Sequence, residues 1–449
     1  MNAVLREHLI IRTPGTWAPR LRALATFHRT GRLRPGERRP VRLYRWDPAA
    51  KTLALPRGLL PVVRQALPLQ VRDERVRRPP VRWAFHGTPF DYQAAAVEAV
   101  VHQEGGVLVA LPGAGKTAMA CLAVATWQQP TLWVVHTLGL AQQARGAATR
   151  WLGLPPGQVG FVGDEQHHWR PFTVAMMQTL VRQPDLLAYA ARAFGTVVLD
   201  EAHHAAAAGF SAVAAALPAR YLLGLTATPD REDGLGPMVT ALLGPRVVVP
   251  VRVLLARGRI LLPSVRLVPT AFAGAPGANW AQLEKLRAED DARNRLLLDQ
   301  IWRCWHQRRR TLVLVERTRH AARLRRALET AGVPARVIIG DTPGPERDRA
   351  FADTEAGRVV GIATKLANEG IDIPAVDALI LGAASRARTR TIQQVGRAMR
   401  TATGKADAWV IDLADVNAPA YADQVRDRLR HYREIGCRIR RERGPGRGR

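Results

Sequence analysis

The run Val107-Leu108-Val109-Ala110-Leu111-Pro112-Gly113-Ala114-Gly115-Lys116-Thr117 decides how this chain is read. Its last eight residues fit a phosphate-binding loop: Ala or Gly, four free positions, then Gly-Lys-Thr. The apolar residues 107–110 have the character of a buried strand, and a helix-prone run, Ala118 to Trp127, follows. In that context the small residues, Gly113 and Gly115 among them, let backbone N–H groups curl around phosphate oxygens, and the helix N-terminus adds partial positive charge. Lys116 is placed to reach the β- and γ-phosphates and Thr117 to hold Mg²⁺. The expected cofactors are ATP and Mg²⁺.

A second run, Val197-Val198-Leu199-Asp200-Glu201-Ala202-His203, is an apolar strand ending in Asp-Glu-Ala-His. A carboxylate at the C-terminal end of a parallel strand can reach a metal held by the loop. Asp200 takes that role, largely through water. Glu201, one residue on, is placed to orient or deprotonate the attacking water.

Composition narrows the class. The 449 residues suffice for two or three domains, and 47% apolar content suits sizeable cores. A net charge of +28 implies a polyanionic partner, most simply nucleic acid. Lysine occurs at five positions only, leaving 61 arginines, a bias that a GC-rich genome also produces; the excess over 38 acids says more. Cys121, Cys304 and Cys437 show no metal-like spacing, and His167-His168 and His203-His204 lack partners for a zinc site. No apolar run reaches 18 residues and the N-terminus has no signal-peptide pattern, so a soluble cytoplasmic protein without a membrane partner is expected.

Residues 1–80, rich in Arg and Pro, read as a small accessory domain that binds DNA, with strand-like pieces at 41–46 and 53–60. From 81 to 252 the pattern alternates α/β, with strands at 107–110, 131–136, 172–176, 196–200 and 221–226. Two short β-like pieces follow residue 250, then one charged helix from Trp280 to Arg308. A second α/β set gives strands at 311–316, 335–340, 358–364, 378–383 and 407–413, within a domain of 253–440. An Arg-rich helix then leads to a disordered basic tail, 441–449.

Taken in order, these runs resemble the motifs of superfamily 2 helicases, over roughly residues 81–440. Phe90-Asp91-Tyr92-Gln93 is similar to the segment whose Gln reads the adenine edge, which falls on Gln93. Leu132–Thr137 with Leu140–Gln143, and Thr173–Leu180, resemble first-lobe segments that touch a nucleic-acid backbone without reading sequence. Gly224–Pro229 matches the motif that couples nucleotide state to strand grip, which assigns coupling to Thr226, Thr228 and His203. Ile362–Thr364 through Glu369-Gly370-Ile371-Asp372-Ile373-Pro374, and Gln393-Gln394-Val395-Gly396-Arg397-Ala398-Met399-Arg400, resemble second-lobe motifs. The resemblance puts Asp372 and Gln393 at the nucleotide and points Arg397 and Arg400 at the γ-phosphate. Arg397 and Arg400 are expected on one face of a helix that the motif opens. The Asp-Glu-Ala-His run is that of the DEAH-box group. Thr226–Gly234, with Arg231-Glu232-Asp233, is similar to the branch of XPB-type and phage UvsW-type DNA helicases, and Leu55-Pro56-Arg57-Gly58 resembles the small N-terminal domains of its phage-like members.

The resemblance implies two tandem RecA-like lobes, each a parallel sheet flanked by helices, preceded by the accessory domain. It implies an ATP-dependent DNA helicase or duplex translocase, a monomer acting on duplex, forked or single-stranded DNA. The motifs also fit an RNA helicase or the motor subunit of a restriction or defence complex. A non-enzymatic nucleic-acid-binding protein is a further class, against which Lys116, Thr117, Asp200, Glu201, Arg397 and Arg400 speak together.

Overall fold

The computed structural model describes every residue except 13, 31–39, 164, 207, 229–232, 365–372, 384–387 and 443–449. The chain forms two compact units: 1–111 with 115–250, and 112–114 with 251–449.

In the first unit the strands Thr131–Val135, Phe172–Met176, Thr196–Leu199, Tyr221–Thr226 and Gly105–Val109 are buried almost throughout. Continuous Val/Leu runs covered on both faces suit a parallel sheet. The sheet has eight strands, in the order 166–168, 159–163, 172–176, 131–135, 196–199, 221–226, 105–109, 246–248. Every pairing is parallel except the hairpin Val159–Gly163 with Gln166–His168. Three of these strands, 159–163, 166–168 and 246–248, go beyond the five expected. The last two have three residues each and lie at the sheet's edges, where pattern is weakest, and 159–163 carries two glycines. Because the strands run parallel, the residues that follow them emerge at one edge: Ala110 onward, His136, Asp200 and Ala227.

The accessory sheet has the order 45–47, 52–56, 8–12, 2–5, 70–73. It belongs to the first unit and is fastened to the eight-stranded domain at several points, among them the ion pair of Asp73 with Arg220 (3.0 Å) and the packing of Ala241 in its apolar cluster. Arg57, 8% exposed, donates to the carbonyls of Ala219 (2.6 Å) and Arg220 (2.8 Å). Next to it, a Cβ on Gly58 would stand 2.5 Å from Gly244 N and Thr240 O, so only glycine lets the two backbones meet. Burial, then the charge of Arg75, pushes the Arg57 guanidinium down to about 9.

The second unit holds a seven-stranded, all-parallel sheet in the order 335–338, 360–364, 311–315, 378–381, 409–414, 264–269, 438–441. One of the β-like pieces expected as a bridge, Ser264–Pro269, is thus an inner strand of this sheet. The charged helix expected from 280 to 308 is two helices, Trp280–Glu289 and Asp291–His306. Asp290 breaks it by capping the second: its side chain accepts from Arg293 N at 2.7 Å. The helix Pro419–Ile435 ends at Gly436 and gives way to a strand, Arg438–Arg441, so the expected tail begins inside regular structure; residues 443–449 lie outside the described ones. Arg428 on that helix makes a two-pronged pair with buried Asp412, both bonds 2.8 Å, and Tyr432 Oη donates to the same carboxylate at 2.7 Å. This trio pins the helix to strand Trp409–Ala414.

Candidate active site

Ala110–Lys116 turns directly from the strand Gly105–Val109 into the helix Lys116–Trp127. Gly113 (φ +90°) and Gly115 (φ +81°) occupy left-handed conformations that bend the loop back on itself. Lys116 Nζ donates to Ala110 O at 2.9 Å, so the ammonium lies within the loop's own concavity. Gln93, 8% exposed, accepts from Phe90 N at 3.1 Å, and its amide nitrogen lies against Gly115, where any Cβ would collide with it. The adenine-reading candidate and the phosphate loop are therefore in contact. Phe90 and Tyr92 stack on each other with centroids 5.9 Å apart.

Only the strand Tyr221–Thr226 separates the loop's strand from that of Asp200. The two adjacent carboxylates there are driven in opposite directions. Asp200 is pushed up to about 6 by burial and then by the charge of Glu201, with Lys116 pulling the other way. Burial raises Glu201 too, but the hydrogen bond from His203 and the charge of Lys116 outweigh it and hold this carboxyl down to about 2. Its Oε2 is 3.2 Å from His203 Nδ1. Glu201 also has φ +51°, a left-handed conformation uncommon outside glycine, so the turn after the strand is strained to aim this side chain.

His203 continues the chain of contacts: its Nδ1 lies 3.4 Å from Thr226 Oγ1, which donates to Thr228 O (3.2 Å) and accepts from Thr228 N (3.1 Å). The three residues expected to couple thus form one buried line from Glu201 to the end of the next strand.

Sequence reasoning missed two supports. Trp133, fully buried, directs Nε1 at Asp200 Oδ2 (3.4 Å) from the neighbouring strand. The ring of His136 packs at a tilt against His204 (centroids 4.5 Å apart), which packs at a tilt against His203 (4.2 Å), while Gln178 Nε2 donates to His136 O at 2.9 Å. The available signal was position: Trp133 pairs in register with Val198, two residues before Asp200, and His136 directly follows the strand Thr131–Val135.

Of the other candidates, Arg397 and Arg400 belong to the second unit. The motif at 393–400 closes the helix Arg388–Ala398 rather than opening it. Arg397 is in its last turn, and Arg400 lies past the end, where its backbone bridges Ile260. The expected shared helix face is therefore not formed. Burial lowers the pKa of the Arg400 guanidinium. Asp372, the side chain of Gln393 and the Arg231-Glu232 pair lie outside the described residues.

The donor set suits Mg²⁺ with a nucleotide. A hydroxyl at Thr117 and a carboxylate at Asp200 are hard oxygen ligands, and Mg²⁺ ordinarily completes its shell with water and substrate phosphates. Among the described residues no three His, Cys, Asp or Glu side chains gather to hold a metal alone. The raised pKa of Asp200 marks a carboxylate that a cation would stabilise as the anion.

Comparison with known proteins agrees with this layout. Residues 86–231 match the family described as "Type III restriction enzyme, res subunit", and residues 292–402 match "Helicase conserved C-terminal domain". The matches support a superfamily 2 helicase. The chain is 30% identical over 325 residues to the "DNA 3'-5' helicase XPB" of Kineococcus radiotolerans, covering 69% of this chain and 56% of that protein. It is 29% identical over 322 residues to the protein of the same name from Mycobacterium tuberculosis, covering 69% and 57%. It thus spans little more than half the length of these relatives. Among solved structures, "ATP-dependent Type ISP restriction-modification enzyme LlaBIII bound to DNA" superposes with a TM-score of 0.61 at 15% identity, over 80% of this chain and 32% of that one. That likeness is one of fold. No helix among the described residues is long and apolar enough to cross a membrane.

Proposed function

We propose that this protein is an ATP-dependent DNA helicase or duplex translocase of the DEAH-box type, in the branch of XPB-type and UvsW-type enzymes, acting as a monomer in the cytoplasm. The carrying observation is the pair of adjacent carboxylates beside Lys116, one held ionised and one raised. Environments that separate two neighbouring acids divide their roles. Glu201, ionised and aimed by its strained backbone, orients the attacking water. Asp200, with Thr117, holds Mg²⁺, which neutralises charge on the phosphates when bound. Lys116 leaves Ala110 O to meet the β- and γ-phosphates, and Gln93 reads the adenine edge. His203 carries the state of Glu201 to Thr226 and Thr228, which supports their role in coupling hydrolysis to grip. Asp372, Gln393, Arg397 and Arg400 are assigned to the nucleotide on the resemblance of their motifs. The names of the relatives, DNA helicases, favour DNA over RNA, and the charge of +28 supports a polyanionic track.

The test is ATP turnover with no nucleic acid, duplex DNA, single-stranded DNA and RNA, alongside strand displacement on forked duplexes. DNA is expected to stimulate turnover more than RNA, and Lys116→Ala to abolish it. Equal turnover by Lys116→Ala, or stimulation by RNA alone, refutes the reading.

A further inference from the structure

An aromatic and arginine cluster lies on the second unit at the edge where its parallel strands begin. That edge is opposite the strand ends at which the helicase-like motifs fall. Trp409 opens the strand Trp409–Ala414. The guanidinium carbon of Arg266 lies 3.4 Å from the centroid of its ring and that of Arg309 lies 3.9 Å away. Trp409 Nε1 donates to Asp407 Oδ2 at 3.0 Å, and the same carboxylate pairs with Arg309. Register adds two more cations. Ser264 is flanked by Trp409 on one side and Arg438 on the other, and Arg266 is flanked by Arg440. Residues two apart share a face, so Trp409, Arg266, Arg438 and Arg440 stand on the same side of the sheet. Arg438 and Arg440 are exposed, and their strand is the terminal one of the sheet.

Cations outnumber acids here: the four guanidiniums of Arg266, Arg309, Arg438 and Arg440 have Asp407, Asp377 and Glu442 as acidic neighbours. Burial, and after it the charges of Arg309 and Arg440, lower the pKa of Arg266, against the opposing pull of Glu442. Stacking on Trp409 occupies the faces of two guanidiniums and fixes their planes, which leaves N–H edges to meet an anion. The forked edge of arginine matches phosphate oxygens in two-pronged bonds. Several such edges on one sheet face, exposed at Arg438 and Arg440, suit a repeating polyanion better than a single small ion.

We infer that this face is a second nucleic-acid contact of the protein, gripping the phosphate backbone without reading sequence. The inference rests on the nucleic-acid partner proposed above. An acidic protein partner is the competing occupant, and the test separates the two. Affinity of the full chain for labelled duplex and single-stranded DNA is measured by fluorescence anisotropy between 50 and 200 mM salt, without nucleotide. The double variant Arg438→Ala/Arg440→Ala is expected to lower the slope of log affinity against log salt by about 1.8 on duplex and about 1.4 on single strands, two phosphate contacts at ~0.9 and ~0.7 each. Arg438→Lys/Arg440→Lys is expected to keep most of the slope, since it keeps the charge. Where the double alanine variant loses its thermal unfolding transition, either single replacement serves, with half the change. A folded alanine variant with the wild-type slope overturns the inference and leaves an acidic protein as the occupant. Equal loss of slope in the lysine and alanine variants also overturns it, by showing that charge is not what acts. Wild type that fails to bind DNA at all defeats this inference and the proposed function together.

Discussion

Replacing Glu201 by Gln tests the role division between the two carboxylates most directly. The amide has nearly the shape of the acid, so the strained turn and the neighbours Asp200 and Lys116 stay in place, and nucleotide affinity is expected to change little. What is lost is the charge. Positioned general acid–base groups are worth about 10² to 10⁴ in rate. The carboxyl of Glu201 is held down to about 2, so it is a weak proton acceptor near neutrality and acts chiefly as a charged hydrogen-bond acceptor for water. A hydrogen bond to a charged group contributes roughly 1.5–3 kcal/mol. That places the loss near the lower end of the range, on the order of 10²-fold, or about 2.7 kcal/mol in the barrier. Single-turnover hydrolysis with saturating DNA, next to nucleotide binding by fluorescence titration, gives both quantities. Hydrolysis within about fivefold of wild type would show that Glu201 does not touch the reacting water. Loss of nucleotide binding would show that it holds the ground state instead.

Three further outcomes follow from other parts of the structure. Arg397→Ala and Arg400→Ala are each expected to cut single-turnover hydrolysis by ~10³-fold or more while sparing ATP affinity, the usual scale for arginines that meet a transferring phosphoryl group; DNA-stimulated hydrolysis within a few-fold of wild type in both would remove them from the site. Arg428→Met leaves the Asp412 carboxylate buried with only Tyr432 for company, which is expected to cost about 3–5 kcal/mol and to lower the second unit's melting temperature by roughly 6–20 °C, readable by calorimetry. His320 is pushed down to about 3 by burial and then by Arg293 and Arg287, while its Nε2 contacts Asn294 Oδ1 at 2.8 Å. The unfolded chain therefore binds the extra proton first, and stability present above pH 6.5 is lost as pH falls from 6.5 toward 3, by up to ~1.4 kcal/mol per pH unit; His320→Gln should flatten urea denaturation midpoints measured across that window.

What the sequence disclosed depended on how local each signal was. Residues 110–117 and 197–203 were legible because a phosphate loop and a strand-end acid pair are each written in consecutive residues next to continuous apolar runs. The strands that carry them are buried on both faces, so their hydrophobicity is unbroken. The strands at 166–168 and 246–248 were not legible: each has three residues at a sheet edge, too few to show a period. Strand 438–441 reads Arg-Ile-Arg-Arg, and only pairing with Ser264–Pro269, more than 170 residues upstream, makes it a strand. Trp133 and His136 escaped notice for the same reason. Their link to Asp200 and His203 comes from which strands are neighbours in the sheet, and 60 or more residues separate them along the chain. The opposed tuning of Asp200 and Glu201 also needed three dimensions, since adjacent acids look alike until His203 is placed against one of them.

The fastening at Arg57 and Gly58 has a consequence for the order of events during synthesis. The carbonyls that satisfy Arg57 belong to residues made 162 and 163 positions later. At ~5–20 residues per second, the accessory sheet leaves the ribosome roughly 8–30 seconds before its docking surface exists. Until then its guanidinium is solvated, and Ala241, which packs in the accessory domain's apolar cluster, has not yet been made. The nascent accessory sheet can therefore pack its own apolar cluster early, but it docks only after synthesis has passed Arg220.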